Sequence, residues 1–385
     1  MEDCKPSPAA YLPDELITQI LTRVPAKSLC RFNCVSRSWR ALISDLAQRA
    51  SLSQTLSGFF FFERYKPKSW CFVSLPTTSS LPPVDPAVFL KASSDGETEL
   101  LDSCNGLLLL RCRSPTRNNG VAFYVVCNPA TGERVTLPQP SNEPGSVNDR
   151  DLTSFEHAAL AFDPATSPHD FHVFQLVEEE HMYDPHVTGA EIYSSTTGTW
   201  VLSECAFRWG KYLGIFDGHT FYFNGFQHLS LGFGEIGLVD TTGQTWRTMD
   251  VNFPGCSDLG FLGHSQGRLL YIVDSLQGPE AWVIYVLEDH DRDEWTIKHR
   301  VRKQALFGTP SDDSGWRPRY SVAAIHPECD LIFFFDRRRR KLMSYDMSKG
   351  NVRVLCTLDE VLDYRYPFLR YVPLYTRTLA LPDAS

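Results

Sequence analysis

Hydrophobic residues follow two different periods along the chain, and the change falls close to residue 57. Up to that point apolar positions recur at the spacing of amphipathic helices. Pro25 ends the first predicted helix and opens a second, and Ser36 is positioned to cap a third that carries Trp39. Pro13 suits the first position of the first helix. The apolar side of that helix consists of Leu16, Ile17, Ile20, Leu21 and Val24.

These three short helices carry more apolar surface than they can bury among themselves. A unit of about 40 residues rarely folds well alone without a disulfide, a metal or a partner. The segment therefore predicts a docking device. The alternative interpretation is a helical cap on the larger domain that follows.

The order of residues in this segment resembles the F-box, the motif by which substrate receptors attach to the Skp-type adaptor of SCF ubiquitin ligases. The resemblance is assigned to residues 8–50 and rests on Leu12-Pro13, Val24-Pro25, Leu29 and the run Cys34-Val35-Ser36-Arg37-Ser38-Trp39. It implies ten positions that form or support the adaptor-facing surface. They are Leu12, Pro13, Leu16, Ile20, Leu21, Val24, Pro25, Leu29, Val35 and Trp39.

Beyond residue 57 the helical period gives way to short β-runs separated by Gly, Pro, Asn and Asp. A loose repeat is visible, in which an apolar strand leads into a polar turn and then into Trp or another apolar residue. The turns fall near residues 132, 198, 243, 293 and 350. A near-continuous apolar run, as expected for a strand covered on both faces, precedes each turn. These runs are Asn105–Leu110, Asp170–Val177, His219–Phe223, Gly267–Asp274 and Cys329–Asp336.

Two hairpins per unit make a four-stranded blade, and repeats of about 40–50 residues indicate a β-propeller. Five units can be identified. A sixth would combine Gly58–Glu63 and Trp70–Leu75 with Arg370–Leu381 and so close the ring. The predicted fold is a small all-α segment over residues 8–50, followed by a large all-β propeller of about six blades over residues 58–381. A large two-sheet sandwich is the alternative.

The second region resembles the F-box-associated and kelch-like domains found behind F-boxes in plant proteins. Together the two resemblances imply a non-catalytic substrate-recognition subunit of an SCF-type E3 ubiquitin ligase. Its partners would be a Skp-type adaptor, through it a cullin-RING ligase, and a protein target. The alternatives are an adaptor-binding or free-standing scaffold without degradative function, and a propeller enzyme. The double glycine of a strict kelch repeat is missing. The motifs that carry the resemblance are Ser103-Cys104-Asn105-Gly106-Leu107-Leu108, Cys127-Asn128-Pro129-Ala130-Thr131-Gly132, Leu137-Pro138 and Ala161-Phe162-Asp163-Pro164.

Composition narrows the cellular location and the classes of partner expected for the protein. The net charge of −9 argues against general nucleic-acid binding, which depends on neutralising phosphates. No apolar run approaches the ~20 residues needed to span a bilayer, and no secretory signal pattern is present. The 11 cysteines are scattered, without a CxxC pair. We therefore expect a cytoplasmic or nuclear protein with no membrane and no nucleic-acid partner.

Several motifs that suggest chemistry have simpler interpretations. Gly232–Gly237 fits GxGxxG, but strand and turn residues follow it where a dinucleotide site needs a helix. The acidic loop with His181, Asp184 and His186, like His290–Glu294, indicates a solvated loop more than a metal site. We predict no catalytic residue, no cofactor and no metal.

Target-binding residues are not identified by the sequence. Arg337–Lys341 lies at a predicted hairpin turn, where a solvated turn, a nuclear import signal and a contact for an acidic partner remain open. Three aromatic residues are further candidates, Trp209, Tyr212 and Phe226. They would line a recognition face, although such residues more often fill a blade core.

Overall fold

The computed structural model describes most of the chain. The residues it leaves undescribed are 1–12, 22–31, 33–38, 40, 43–55, 64–68, 76–89, 91–96, 114–120, 142–157, 180–185, 211–219, 233, 278–279, 291, 308–319, 359–367, 377 and 379–385.

One complete helix lies in the N-terminal segment, α1 (Asp14–Leu21). It begins where the Pro13 carbonyl accepts the backbone N–H groups of Leu16 and Ile17, at 3.0 and 3.1 Å. The bounds of the second and third predicted helices lie outside the described residues. No helix in the described part of the chain is long and apolar enough to cross a membrane. Helical backbone is also described at Phe32, Trp39, Ala41 and Leu42.

The rest of the described chain forms six antiparallel sheets, which we call blades 1 to 6. Blade 1 contains β1 (Gly58–Glu63), β2 (Ser69–Ser74) and β23 (Leu369–Tyr371). Blade 2 contains β3 (Glu97–Cys104), β4 (Leu107–Arg113), β5 (Phe123–Asn128) and β6 (Glu133–Thr136). Blade 3 contains β7 (Ala158–Phe162), β8 (Phe171–Glu179), β9 (His186–Ser194) and β10 (Thr199–Gly210).

The remaining three blades follow the same order. Blade 4 contains β11 (Thr220–Phe223), β12 (Phe226–Gly232), β13 (Glu235–Asp240) and β14 (Trp246–Asp250). Blade 5 contains β15 (Cys256–Ser265), β16 (Arg268–Ser275), β17 (Ala281–Asp289) and β18 (Glu294–Arg302), followed by a short helix α2 (Lys303–Phe307). Blade 6 contains β19 (Tyr320–Ile325), β20 (Leu331–Asp336), β21 (Lys341–Asp346) and β22 (Asn351–Thr357).

Six hydrophobic clusters show that the blades form a closed ring. Each cluster combines buried side chains of two neighbouring blades, and each junction from blade 1 round to blade 6 and back has one. Between blades 5 and 6, for example, Trp282 packs edge-on against Phe334, with ring centroids 5.9 Å apart. A two-sheet sandwich would have one continuous core. The prediction of a propeller with about six blades is therefore confirmed.

Blade 1 joins the two ends of the propeller sequence. β1 pairs with β2 on one side and with β23 on the other, so that Phe59 lies opposite Arg370 and Phe60 opposite Leu369. This is the sixth unit expected from the sequence. The closing strand β23 is only three residues long.

The repeat found in the sequence corresponds to the second, third and fourth strands of blades 2, 3, 5 and 6. The predicted turns join the third and fourth strands, and their residues near the expected positions have positive φ. They are Gly132 (80°), Gly198 (70°), Gly243 (70°), Asp293 (53°) and Gly350 (67°).

One predicted run was assigned to the wrong place in its blade. Four of the apolar runs contain second strands, which are sandwiched between the adjacent blades. His219–Phe223 instead overlaps β11, the first strand of blade 4. Its side chains from Thr220 to Phe223 are only half-buried, because a first strand borders the centre of the ring.

The propeller has two different faces. All six first strands run toward the face that holds the first-to-second and third-to-fourth turns, which we call the tight-turn face. The opposite long-loop face holds the second-to-third turns and the blade-to-blade connections. The chain enters the propeller at the tight-turn face, because Gly58 lies opposite Tyr371, the last residue of β23.

Candidate functional site

The buried side of α1 anchors it to the other described helical residues of the N-terminal segment. Ile17 and Leu21, at 8% and 2% exposure, pack with Phe32, Trp39 and Leu42. The rings of Phe32 and Trp39 meet edge-to-face with centroids 5.4 Å apart. The spacing of four residues places the two buried aliphatic side chains on one side of the helix.

The adjacent side of α1 exposes large apolar side chains. Leu16 is 45% exposed and Ile20 is 49% exposed, and the four-residue spacing between them puts both on one stripe. Asp14 and Glu15 lie in the first turn, where negative charge is favoured by the helix dipole. The helix therefore presents an apolar stripe to solvent while its other side is already packed.

The structure separates the predicted adaptor-facing residues into two groups. Pro13, Leu16 and Ile20 are exposed, whereas Leu21 and Trp39 belong to the packed cluster and support the helix from within. The others lie outside the described residues, namely Leu12, Val24, Pro25, Leu29 and Val35.

A cavity that the sequence did not predict lies at the centre of the ring. Residues of all six first strands line it, toward the tight-turn face, and it is continuous with solvent. Its walls are largely apolar, and polar groups enter mainly from blades 1, 2 and 5. The residues that line the cavity include Asp102, Ser103, Phe221, Phe261, His264 and Arg370.

Hydrogen bonds between first strands build one wall of this cavity. The register of β3 shifts between Leu100 and Asp102. The Asp102 carboxylate accepts the backbone N–H of Ser103 at 2.7 Å and that of Leu160 in β7 at 2.8 Å. On the other side, the Ser103 hydroxyl donates to the Arg370 carbonyl at 2.8 Å. Strand β3 is thereby fixed between β7 and β23.

The charged groups at this wall have shifted pKa values. Burial raises the pKa of Asp102 to about 6, although the two backbone N–H groups and the charge of Arg370 oppose that shift. Burial lowers the pKa of Arg370, and a guanidinium still keeps its charge in proteins. Burial and the nearby Arg370 hold the pKa of His264 well below its usual range.

The neutral state of His264 agrees with its contacts. Arg370 Nη2 lies 2.5 Å from His264 Nε2, and because the guanidinium can only donate, that ring nitrogen accepts. The imidazole also stacks on Phe223 with centroids 5.0 Å apart and planes 19° apart.

The glycine-rich and arginine-rich motifs both lie on hairpins, as predicted. Strands β12 and β13 pair antiparallel across Gly232–Gly237, and a strand follows where a dinucleotide site needs a helix. Residues 337–340 form the β20–β21 turn on the long-loop face, with Arg338, Arg339 and Arg340 exposed. The backbone N–H groups of Arg338 and Arg339 donate to Asp336 Oδ1 at 3.0 and 2.9 Å, which fixes the turn.

The other candidate residues give little further support to a site. His181, Asp184 and Tyr212 lie outside the described residues, as does the side chain of Trp209. Phe226 packs against the cluster between blades 4 and 5, which favours a core role. Among the described residues, no group of three or more His, Cys, Asp or Glu side chains is arranged to hold a metal ion.

Comparisons with known proteins agree with the motifs of both regions. Residues 11–49 match the F-box domain model. F-box protein At5g07610 of Arabidopsis thaliana is 27% identical over 315 residues, covering 76% of this chain and 71% of the relative. F-box protein At5g49610 of the same plant is 26% identical over 323 residues, covering 78% of this chain and 81% of the relative. The resemblance to plant F-box proteins is confirmed.

Similarity to solved structures is weaker. The chain is similar to a chain in the crystal structure of a nidogen/laminin complex, with a TM-score of 0.41 and 8% identity over 84% of this chain and 100% of that one. Nothing about function follows from that similarity.

Proposed function

We propose that the protein is a substrate-recognition subunit of an SCF-type E3 ubiquitin ligase. The observation that carries the proposal is the match of residues 11–49 to the F-box domain model. Residues 8–50 would form a three-helix F-box that docks on a Skp-type adaptor and, through it, on a cullin-RING ligase. Residues 58–381, of kelch-like character, would bind a protein target in the cytoplasm or the nucleus.

The chain would act by proximity and would contribute no catalytic residue. Holding a target beside the ubiquitin-charged enzyme raises the effective concentration of target lysines. The exposed stripe of Leu16 and Ile20 supports the docking step, because removing large apolar side chains from water on binding is favourable.

The first experiment is co-expression of the full chain with a Skp-type adaptor, followed by size exclusion chromatography. We expect a stoichiometric complex from the wild type. Leu16→Ala with Ile20→Ala should weaken the complex at least about tenfold, since each buried CH₂ group that is removed costs about 0.8 kcal/mol. Leu12→Ala with Pro13→Ala is expected to act in the same way.

The matched control is Val201→Ala with Leu202→Ala. These two side chains are also large, apolar and exposed, at 59% and 55%, but they lie on β10 at the outer edge of blade 3. The control should elute with the adaptor as the wild type does. Full adaptor binding by the Leu16/Ile20 variant would reject the docking surface, and a folded wild type without any complex would reject the ligase role.

A scaffold that binds the adaptor without causing degradation is one alternative. The half-life of a bound target, measured with and without this protein, separates the two roles. A scaffold would leave the half-life unchanged.

A further inference from the structure

We propose that the central cavity of the propeller is a binding site for a small organic carboxylate, held by Arg370. The proposal concerns a ligand site that is separate from adaptor docking and does not depend on it. It rests on the charge, the open donors and the walls of the cavity.

The guanidinium of Arg370 has donors to spare. It carries five N–H groups, and within the described part of the chain its side chain makes one hydrogen bond, to the neutral His264. No ion pair joins Arg370 to Asp102 among the described residues, and each carboxylate oxygen of Asp102 accepts a backbone N–H group. A half-buried cation with free planar donors is suited to a bidentate anion.

The charges of the lining disfavour a dianion more than a monoanion. Asp102 stands close enough to Arg370 for each to influence the other's pKa. A second negative charge on the ligand would meet this carboxylate without a second cation from the lining, which argues against a phosphate dianion. A carboxylate carries one charge on a planar pair of oxygens, which matches the guanidinium.

The walls of the cavity favour a ligand with an apolar body. Phe221, Phe261 and Ile325 line it beside His264, whose imidazole is held neutral and stacked on Phe223. Small-molecule sites are concave, as this cavity is. Apolar walls with a few convergent polar groups are the usual composition of such sites.

The test uses the full chain and phenylacetate as the probe, with phenylacetamide as its uncharged analogue. Isothermal titration and thermal denaturation are measured with millimolar probe. We expect phenylacetate to bind and to raise the Tm, as any ligand selective for the folded state does. Phenylacetamide should bind about ten- to a hundredfold more weakly, which corresponds to one lost charge-assisted contact.

Variants connect this preference to one residue. Arg370→Gln should lose the difference between acid and amide, and Arg370→Lys should retain part of it, because it keeps the charge without the planar fork. Arg353→Gln is the control, since it removes the same charge from an exposed position on β22. Its affinity for phenylacetate should equal that of the wild type.

Further probes separate the two possible sources of the carboxylate. A short peptide that ends in phenylalanine with a free carboxylate is compared with the same peptide as its C-terminal amide, and with phenylacetate. Binding of phenylacetate alone indicates a small-molecule ligand, whereas binding of the peptide acid but not of its amide indicates the end of a protein chain.

Three results would overturn the proposal. They are equal affinity for phenylacetate and phenylacetamide, unchanged acid binding by a folded Arg370→Gln variant, and no stabilisation of the wild type by either the small acid or the peptide acid. If Arg370→Gln does not fold, the comparison of acid with amide on the wild type still decides. A failure of adaptor docking would leave all these measurements unaffected.

Discussion

At the scale of single residues, the motifs that resemble plant F-box-associated domains have a structural explanation. Asn105 Nδ2 donates to the Phe162 carbonyl at 2.7 Å and so links β3 to the first strand of blade 3. Asn128, fully buried, donates to the carbonyls of Leu374 at 2.9 Å and Thr376 at 3.2 Å. These asparagines hold blade 2 to its neighbour and to the segment that follows β23.

Asp102 should make stability depend on pH. Its pKa is about 6 in the folded protein and near 3.8 without the surrounding structure, so the folded state binds a proton between pH 4 and 6 that the unfolded state has released. The free energy of unfolding should therefore fall as the pH rises through that window, by about 3 kcal/mol at most. Urea denaturation of wild type and Asp102→Asn, compared across pH 4–7, measures this contribution.

The difference between wild type and Asp102→Asn is the relevant quantity, because other carboxylates titrate as well. Asp346 has the opposite shift, since hydrogen bonds from Ser348 and Lys349 lower its pKa to about 2. Its stabilising contribution is lost as the pH falls from about 4 toward 2. A wild-type-minus-variant difference for Asp102 that stays constant from pH 4 to 7 would contradict the prediction.

At the scale of elements, the turns between third and fourth strands differ in how closely they approach the neighbouring blade. Gly243 has a φ of 70°, and a Cβ atom there would lie 2.5 Å from Ser203 Cβ in blade 3. The Gly243 carbonyl accepts the Trp246 indole N–H at 3.0 Å and also the Ser203 hydroxyl. Gly350 has a φ of 67° in the equivalent turn of blade 6, with no atom within 4 Å of the added Cβ.

Gly243→Ala should therefore destabilise the protein more than Gly350→Ala does. The left-handed backbone alone costs a residue with a Cβ about 1 kcal/mol, which is the expected loss at Gly350. At Gly243 the collision with Ser203 should add about 1–3 kcal/mol. Chemical denaturation of both variants gives the comparison. Equal losses of unfolding free energy would show that the junction between blades 3 and 4 accommodates the added methyl group at little cost.

The repeat could be predicted from the sequence because it has strong local signals. A third strand, a turn residue with positive φ and a fourth strand beginning near a Trp or another apolar residue recur five times along the chain. First strands lack such signals, because their side chains border the cavity and are mixed in polarity, as in Asp102 and Ser103 of β3. The strand β23 is too short for any period to be visible.

The cavity could not be predicted for a different reason. Arg370, His264 and Asp102 come from blades 1, 5 and 2 and are far apart in the sequence. Only ring closure brings them together. The exposed stripe of α1 was easier to predict, because Leu16 and Ile20 are about one helical turn apart. The pattern alone did not distinguish these two exposed residues from the buried Leu21.

At the scale of the whole molecule, ring closure depends on the last described residues. Tyr371 packs against Phe60 with centroids 5.6 Å apart, and Val372 belongs to the cluster between blades 6 and 1. Glu133 accepts the backbone N–H of Thr378 at 3.2 Å. The C-terminal segment thus contacts both neighbours of the final junction.

Deleting residues 369–385 should abolish the cooperative fold of the propeller. The deletion removes the first strand of blade 1 and exposes the hydrophobic clusters on both sides of it, each part of a core in which missing large side chains cost several kcal/mol. Thermal denaturation and limited proteolysis should show a broad transition and rapid cleavage. A chain that ends at Thr378 is the control and should unfold like the wild type, whereas a sharp transition in the longer deletion would show that the ring tolerates an open blade.

The shared blade also fixes an order of events during translation. Folding follows the emerging chain, at about 5–20 residues per second, and the segment that matches the F-box leaves the ribosome first. β1 and β2 then remain without their partner strand until β23 is made, after all the other strands described above. A messenger RNA with a premature stop codon would yield a docking segment attached to an unclosed ring. If residues 8–50 dock on the adaptor as proposed, such a product would compete for the adaptor while being unable to present a target, so truncation would produce an inhibitor of the intact protein.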